Sequence, residues 1–268
     1  MLSRCTEMET VVGIDIGSRT IKVAVLNRNK FTDFRVEEGG FDPRIQALRI
    51  LKDLGVTKDA EIVATGYGRN LAKDHFARQA ITEIKAHAIG ARYLFPSCHS
   101  VLDVGGQDAK VILLGSTGKV VDFQMNDKCA AGTGRFLEIM AASLGFSLEE
   151  FGGVALSSRE SLRINSMCTV FAESEVISLK NLGRDPRDIA LAVHQSVVDR
   201  LLSMLHRAGG PGAELVFSGG VAKNMCIVKL IQKKLGISVK LPKRPELTGA
   251  VGAALYGRDA GTATTPGM

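Results

Sequence analysis

Two short turns carry the residue types that a nucleotide–metal site requires. The first is Asp15-Ile16-Gly17-Ser18, followed closely by Thr20 and Lys22, and the second is Asp103-Val104-Gly105-Gly106. Glycine lets a backbone approach a phosphate closely, and consecutive N–H groups form an anion-binding concavity. A nearby carboxylate can hold Mg²⁺ through water. The turns therefore suit a nucleotide with its metal, although either one alone is also compatible with an ordinary β-turn.

The elements around these turns are repeated. Apolar runs on either side of each polar turn predict strands at Val11–Ile16 and Ile21–Leu26, and again at Val101–Val104 and Ala109–Leu114. The second Asp follows the first by 88 residues, at position 103 against position 15. Two α/β lobes related by this repeat, residues 1–98 and 99–268, would place the turns face to face across a cleft.

A third glycine pair lies in Val216-Phe217-Ser218-Gly219-Gly220-Val221-Ala222, a predicted strand followed by a helix start. This segment suits a close approach of the backbone, including Ala222, to adenine or ribose. The three elements, in this order, resemble the two phosphate motifs and the adenosine motif of the actin/Hsp70/hexokinase superfamily, whose two lobes are ribonuclease H-like. The small residues of Leu247–Ala254 resemble its crossing helix, so the final helix is a candidate to return to the first lobe.

The remaining elements follow from apolar periodicity and from glycine and proline punctuation. Further strands are expected at 31–38, 61–65, 119–124 and 215–217, and helices after Pro43 and at 81–94, 130–144, 170–182, 188–208, 220–235 and 247–258.

Composition narrows the class of protein. The chain has 268 residues, 45% of them apolar and 23% charged, and a net charge of +6, with its Lys and Arg scattered along the sequence. We therefore expect no nucleic-acid partner, because no clustered basic stripe or nucleic-acid motif is present. No apolar run reaches the length of a membrane span, and the first ten residues do not resemble a signal peptide, so we expect a cytoplasmic protein with reduced thiols.

Two of the five cysteines precede predicted helices. Cys129 lies in Asn126–Phe136 ahead of the helix expected from Ala130, and Cys168 lies just before the helix expected from Val170. Helix N-termini favour thiolates and the negative charge of an iron–sulfur cluster. A cysteine considered alone is nevertheless more often a small buried apolar residue. An odd number of cysteines in a reducing compartment leaves metal binding or burial, not a disulfide framework.

Several of these segments together resemble one family over most of the chain, from about Val11 to Gly257. They are Thr65-Gly66-Tyr67-Gly68-Arg69, Asp103 to Lys110, Asn126 to Phe136 and Cys168 to Ser178. They are similar to the activators of 2-hydroxyacyl-CoA dehydratases, a family that includes the ATPase subunits of benzoyl-CoA reductases.

The resemblance implies a homodimer that holds one [4Fe–4S] cluster at its interface, each subunit giving two cysteines. By motif position these are Cys129 and Cys168, and a two-fold axis doubles two thiolates into the four that such a cluster needs. Cys5, Cys98 and Cys226 fall outside the family's motifs and are interpreted as structural.

The resemblance also implies that ATP hydrolysis drives an electron from a ferredoxin or flavodoxin to a partner enzyme. Asp15 and Asp103 would lie near Mg²⁺ and the phosphates, and either Asp103 or Gln107 would orient the attacking water. The other contacts with ATP and ADP would come from Gly17, Ser18, Thr20, Lys22, Gly105, Gly106, Gly219, Gly220 and Ala222.

Two other classes share this fold. A small-molecule kinase such as a sugar kinase remains possible, because a fold alone does not establish a function. A nucleotide-gated binding protein like the chaperone or actin branches is a third class, although the chain is short for one with an added peptide-binding domain. Within the favoured family the partner could be a dehydratase or a benzoyl-CoA reductase component, and the motifs slightly favour the dehydratase.

Overall fold

The computed structural model describes residues 10–164 and 168–263 of the chain. Contacts divide it into two compact units, one formed by residues 10–96 with 246–263 and the other by Ser97–Pro245. The first division therefore falls at residue 96, close to the 98 expected from the repeat. The segment after Pro245 belongs to the first unit, as the crossing helix suggested, and not to one unbroken block from 99 to 268.

Ten strands and nine helices make up the described residues. In chain order they are β1 (Thr10–Ile16), β2 (Thr20–Asn27), β3 (Lys30–Glu38), α1 (Pro43–Asp53), β4 (Glu61–Thr65), α2 (Arg69–His75), β5 (Gln79–Ala80), α3 (Glu83–Leu94), β6 (Ser100–Val104), β7 (Ala109–Leu114), β8 (Val120–Asn126), α4 (Gly134–Leu144), α5 (Leu148–Leu156), α6 (Thr169–Asn181), α7 (Pro186–Arg207), β9 (Leu215–Ser218), α8 (Met225–Leu235), β10 (Val239–Lys240) and α9 (Thr248–Ala263). Short 3₁₀ turns occupy Gly220–Lys223 and Pro245–Leu247.

The two sheets share one topology. The first has the order β3-β2-β1-β4-β5, and the second has β8-β7-β6-β9-β10, so each is an antiparallel meander extended by two parallel strands. The strand irregularity between Val25 and Leu26 recurs between Leu113 and Leu114, at the same 88-residue offset as the two aspartates. The repeat inferred from the sequence is therefore present in the strand pairing itself.

Several local elements differ from the sequence expectation. Helix α4 begins at Gly134 and not at Ala130, because residues 129–133 form a loop in which Gly132 has a φ of 85°. Helix α5 was not predicted, since Gly152 and Gly153 interrupt its apolar pattern, yet Ser147 and Glu150 form a capping box that starts it. The short elements α2, β5 and β10 were also missed, because so few residues give no period.

The core of the first unit depends on a close contact between α9 and its neighbours. The Gly13 Cα on β1 faces α9 so closely that a Cβ there would lie 1.9 Å from the Ala250 carbonyl oxygen. A Cβ at Gly252 would lie 1.8 Å from the Ala86 carbonyl oxygen of α3, and one at Gly90 would lie 2.1 Å from the Thr248 oxygen. The small-residue sequence of α9 therefore serves backbone-to-backbone packing.

Among the residues described, no single helix is long and apolar enough to cross a membrane. Only α4 and α5 taken together, with a bend of 78° between them, meet such a criterion by length and composition.

The glycine contact can be tested by one substitution. Gly252→Ala forces α9 away from α3, and we expect it to lower the free energy of unfolding by about 2 kcal/mol or more, the usual cost of overpacking. Gly153→Ala is the control, because no atom lies within 4 Å of a Cβ at that position. It should leave stability unchanged or raise it by about 0.5–1 kcal/mol through helix propensity. Urea denaturation measures both, and equal stability of the two variants would contradict the packing account.

Candidate functional site

The first turn is built around a buried carboxylate at the end of β1. Asp15 is only 5% exposed, and its Oδ2 lies 3.3 Å from Nζ of Lys22, its partner across the β1–β2 pairing. The Gly17 N–H donates to the Thr20 carbonyl at 3.1 Å and closes the turn, while Ser18 is exposed. A Cβ at Gly17 would lie 2.8 Å from the Lys22 ammonium, so glycine leaves this cation room beside the turn.

The second turn repeats this arrangement with more partners. The Asp103 Oδ2 lies 3.5 Å from Nζ of Lys110, which also contacts Oδ2 of Asp108 at 2.7 Å. The Ser218 hydroxyl donates to Oδ1 of Asp103 at 2.9 Å. Asp103 and Lys110 are each 3% exposed, so this ion pair is closed to solvent, whereas Gln107 is exposed on the turn between them. Both oxygens of Asp103 are thus already engaged within the protein.

The two turns also share a third position. Thr65 pairs with Asp15 across β1 and β4, and Ser218 pairs with Asp103 across β6 and β9. Each hydroxyl residue is followed by a glycine with positive φ, 88° at Gly66 and 85° at Gly219. The Thr65 Oγ1 is buried and has no hydrogen-bond partner among the residues described.

The Gly219-Gly220 segment is held by its own unit. The Gly219 N–H donates to the Pro245 carbonyl at 3.0 Å, and a Cβ at Gly219 would lie 2.3 Å from the Val104 oxygen. The 3₁₀ turn that follows contains Ala222 and ends at Asn224, whose Oδ1 accepts from two N–H groups at the start of α8. The backbone of this segment therefore lies close to the end of β6.

A buried histidine on α7 supports Asn224. The His194 Nδ1 lies 2.7 Å from the Ala190 carbonyl oxygen, and its Nε2 lies 2.9 Å from Nδ2 of Asn224. Because the Asn224 oxygen caps α8, its amide nitrogen must donate, and Nε2 must accept as part of a neutral ring. Burial lowers the pKa of His194 to about 4, and the Ala190 hydrogen bond opposes this shift only in part.

The two cysteines of interest lie in different local settings. Cys129 is half-buried in the 129–133 loop, where Nδ2 of Asn126 donates to the Cys129 carbonyl at 2.9 Å and to the Ala131 carbonyl at 3.1 Å. The expectation that Cys129 stands at a helix N-terminus is wrong, because α4 starts only at Gly134. Cys168 is exposed and is the N-cap residue of α6, as expected.

The other cysteines differ in accessibility. Cys98 and Cys226 are fully buried, and burial raises the pKa of the Cys226 thiol to about 12. A thiol with so high a pKa stays protonated, and both buried cysteines act as small apolar residues. Cys5 lies outside the described residues. Among the described cysteines, only Cys129 and Cys168 are thus accessible.

Two backbone hydrogen bonds join the second turn to the segment behind Cys129. The Gly134 N–H donates to the Gly105 carbonyl at 2.9 Å, and the Arg135 N–H donates to the Gly106 carbonyl at 2.7 Å. A Cβ at Gly134 would lie 3.1 Å from the Gly105 oxygen. The first residues of α4 therefore share hydrogen bonds with the glycine pair of the turn.

Sequence reasoning missed four residues that the structure places at these turns. They are Thr65, Asp108, Lys110 and His194. Three of them had a signal in the sequence: Lys110 follows Asp103 by the same seven positions that separate Lys22 from Asp15, and Thr65-Gly66 matches Ser218-Gly219. Asp108 lies within the Asp103 to Lys110 segment that carries the family resemblance. His194 had no such signal, because only the packing of α7 brings it to Asn224.

The repeated sheets, each ending in a turn with a buried carboxylate and glycines, define a protein of the actin/Hsp70/hexokinase fold class. The BadF/BadG/BcrA/BcrD ATPase family model matches residues 12–257. The chain belongs to this ATPase family, and the family expected from the sequence is confirmed.

Named relatives cover nearly the whole chain. The 2-hydroxyisocaproyl-CoA dehydratase activator of Clostridioides difficile is 38% identical over 256 residues, which are 92% of this chain and 94% of the relative. The (R)-2-hydroxyglutaryl-CoA dehydratase activating ATPase of Acidaminococcus fermentans is 39% identical over 251 residues, 91% of this chain and 95% of the relative. One of the benzoyl-CoA reductase subunits of Thauera aromatica is 30% identical, covering 93% of each chain.

Solved structures agree on the fold. Component A of the (R)-2-hydroxyglutaryl-CoA dehydratase of Acidaminococcus fermentans aligns with a TM-score of 0.88 at 37% identity, over 94% of this chain and 99% of that one. The Clostridium difficile activator with bound ADPNP aligns with a TM-score of 0.87 at 36% identity, over 97% and 99%. A ROK family protein from Streptococcus pneumoniae, at 11% identity and a TM-score of 0.53, shares the fold alone, over 95% of this chain and 99% of that one.

The repeat-related lysines should differ in their effect on stability. Lys110→Met leaves Asp103 and Asp108 as buried carboxylates without their cation, and we expect it to lower the free energy of unfolding by about 3–5 kcal/mol. Lys22→Met is the matched variant, and because Lys22 is more exposed it should cost about 1–2 kcal/mol. Urea denaturation measures the free energy of unfolding of both variants. An equal loss would show that the buried ion pair of Lys110 is no more important for stability than the partly exposed pair of Lys22.

His194 should give the protein a specific sensitivity to acid. The unfolded histidine binds a proton below about pH 6.5, whereas the folded one resists protonation until its pKa of about 4. The contribution of neutral His194 to the free energy of unfolding is therefore fully present above pH 6.5. It is lost as the pH falls from 6.5 to 4, and it amounts to on the order of 3 kcal/mol. We expect His194→Gln to show a shallower decline in urea denaturation over this range. Parallel pH curves for wild type and variant would contradict the assignment.

Proposed function

We propose that this chain is an ATP-dependent electron activator of a 2-hydroxyacyl-CoA dehydratase. The observation that carries the proposal is the pair of hydrogen bonds from Gly134 and Arg135 to the Gly105 and Gly106 carbonyls. They join a turn suited to phosphate directly to the segment behind an accessible cysteine. The names of two relatives support the same function, because the Clostridioides difficile and Acidaminococcus fermentans proteins, at 38% and 39% identity, are named as dehydratase activators.

The nucleotide contacts follow from the two turns and the adenosine segment. We assign phosphate contacts to Gly17, Ser18, Thr20 and Lys22 of the first unit and to Gly105 and Gly106 of the second. Gly219, Gly220 and Ala222 would contact adenosine. Backbone N–H groups and the Lys22 ammonium suit the charge of the phosphates. Asp15 and Asp103 would lie near Mg²⁺ and the phosphates, where the metal would neutralise phosphate charge.

Gln107 suits the role of orienting the attacking water better than Asp103. The Asp103 carboxylate is buried and engaged on both oxygens by Ser218 and Lys110, so it is poorly free to bind a mobile water. The Gln107 side chain is exposed on the glycine-containing turn, and an amide can accept from a water while donating to phosphate. Hydrolysis then transfers the γ-phosphoryl group to water and leaves ADP and phosphate.

The cysteines fit half of a cluster site. Cys129 and Cys168 are accessible thiols of the same unit, and the N-cap position of Cys168 offers N–H groups that favour a thiolate. Among the residues described, no group of three or more metal-binding side chains comes together, so these residues of one chain do not form a four-thiolate set. We therefore propose that two copies of the chain contribute two cysteines each. A [4Fe–4S] cluster bound there would supply a one-electron carrier.

The chain's own part in coupling lies in the second turn. A phosphate that binds the Gly106 N–H and leaves after hydrolysis changes the geometry of the Gly105 and Gly106 peptides, since the Gly105 N–H itself donates to the Asp108 carbonyl. Their carbonyls would transmit the change to Gly134 and Arg135 and hence to the start of α4 and the Cys129 loop. The partner would be a dehydratase and the electron donor a ferredoxin or flavodoxin. A benzoyl-CoA reductase component remains the alternative partner, supported by the 30% identity to a subunit of that enzyme.

Cysteine substitution tests the proposal. Protein purified without oxygen should contain about four irons per dimer by chemical iron and sulfide assay, since each subunit supplies two of four thiolates. Cys129→Ser and Cys168→Ser should each lose most of this iron, while Cys98→Ser, a buried thiol, should retain it. Native mass spectrometry checks the dimer. Iron retained in both variants would contradict the proposed cluster ligands. No iron in the reconstituted wild-type protein would contradict the proposed redox function, and either result would leave only the ATPase fold.

The water-orienting role gives a separate kinetic expectation. Gln107→Ala should lower kcat for ATP hydrolysis by about 10²-fold or more, because it removes a group acting on the attacking water in the transition state. KM for ATP and the unfolding free energy should hardly change, because the side chain is exposed. Asp103→Asn is the contrasting variant and should also lose stability, since Lys110 keeps less compensating charge. Phosphate release measures the rates, and a Gln107→Ala enzyme with normal kcat would exclude this role.

A further inference from the structure

A cavity of about 450 Å³ in the second unit lies apart from the turns described above. It is bounded by the end of β8, by the loop that follows Cys129 and by one face of α7. Its lining includes Asn126, Gly132, Phe136, Ser196, Arg200 and Arg207. Its volume lies within the range of small-molecule sites in proteins.

One face of α7 presents polar groups to this cavity at helical spacing. Ser196, Arg200, Ser203 and Arg207 follow one another at intervals of four, three and four residues, and all four line the cavity. The serine hydroxyls donate to backbone carbonyls of their own helix, which leaves their oxygens as acceptors toward the cavity. Neither guanidinium has a hydrogen bond or ion pair with any described residue. Within the described part of the chain, two cations thus face the cavity without a counter-charge.

The acidic residue of the lining does not balance them. Asp199 forms a close ion pair with Lys234 of α8, so the charge of its carboxylate is already balanced. The rest of the wall is largely apolar and includes Phe136, Val197 and Met204. Arg200 and Arg207 lie seven residues apart, or ~10 Å along the helix, and the apolar Met204 lies between them in the sequence.

We propose that this cavity is a binding site for a small organic anion with an apolar body and a carboxylate or phosphate group. Arginine binds both groups through paired N–H donors, and a mixed apolar and cationic wall favours an amphipathic ligand over an inorganic ion. The site uses none of the nucleotide turns and neither cysteine, so it stands whether or not the proposed function holds.

An occupant of this site lies against the loop that carries Cys129. Asn126 lines the cavity and also holds the Cys129 and Ala131 carbonyls, and the Arg200 side chain packs over Gly132, 3.0 Å from the position of a Cβ there. A ligand that draws Arg200 toward its anionic group therefore changes the packing against Gly132. The cavity therefore adjoins the Cys129 loop through Asn126 and Gly132.

The test uses 1-anilinonaphthalene-8-sulfonate, a fluorescent apolar anion, with the full-length protein saturated with MgADP. We expect saturable binding of one probe per chain, with Kd raised at least tenfold by Arg200→Gln and by Arg207→Gln. Lys233→Gln, which removes a cation of α8 outside the cavity, is the matched control and should leave Kd unchanged. Ser203→Trp fills the cavity without changing charge and should abolish binding. Thermal unfolding of each variant confirms that it is folded.

Competition identifies the ligand chemistry. Octanoate or an alkyl phosphate should displace the probe, and inorganic phosphate at the same concentration should not. Displacement by the alkyl phosphate alone would assign a phosphate ligand, and displacement by octanoate would admit carboxylates. A Kd that the arginine variants and Ser203→Trp leave unchanged would overturn the proposal. An equal effect of Lys233→Gln, or displacement by inorganic phosphate alone, would also overturn it.

Discussion

The rest of the arrangement depends on the shared hydrogen bonds of one turn. In the proposed function a phosphate binds the Gly106 N–H, while the Gly105 N–H donates to the Asp108 carbonyl and the carbonyl oxygens of both glycines accept from Gly134 and Arg135. A peptide group is planar and rigid, so the C=O of one residue and the N–H of the residue after it cannot reorient independently. A ligand that binds the turn therefore also changes the hydrogen bonds of the first residues of α4. The Cys129 loop precedes those residues, so the proposed coupling of nucleotide chemistry to a cysteine passes through this turn.

The turn is itself held by a charge arrangement that occurs twice in the molecule. In each sheet the Asp at the end of the central strand pairs with a Lys on the neighbouring strand and with a hydroxyl residue on the other side. The copies differ in how far they are closed. Lys110 is sealed between two carboxylates, whereas Lys22 stays partly exposed beside Gly17. A sealed ion pair restricts the geometry of its turn, whereas a partly exposed ammonium is accessible to a ligand such as the proposed phosphate.

Much of this could be predicted from the sequence, because it depends on local patterns. The strands on each side of Gly17 and Gly105 and their repetition followed from apolar runs and polar turns, and the small residues of α9 indicated a crossing helix. The start of α4 could not be predicted, since the 129–133 loop is fixed by Asn126 hydrogen bonds and by Gly132, not by propensity. The His194–Asn224 contact and the cavity beside Arg200 also escaped prediction, because both arise where distant segments pack together.

Hydrogen exchange at Gly134 and Arg135 tests the central claim most directly. Their N–H groups would be followed by mass spectrometry or NMR in the nucleotide-free, MgADP and MgADPNP states, with the amides of α8 as a reference. The account predicts that protection at these two residues differs between MgADP and MgADPNP, while α8 stays constant. Identical protection in both nucleotide states, with nucleotide shown to be bound, would contradict coupling through this turn.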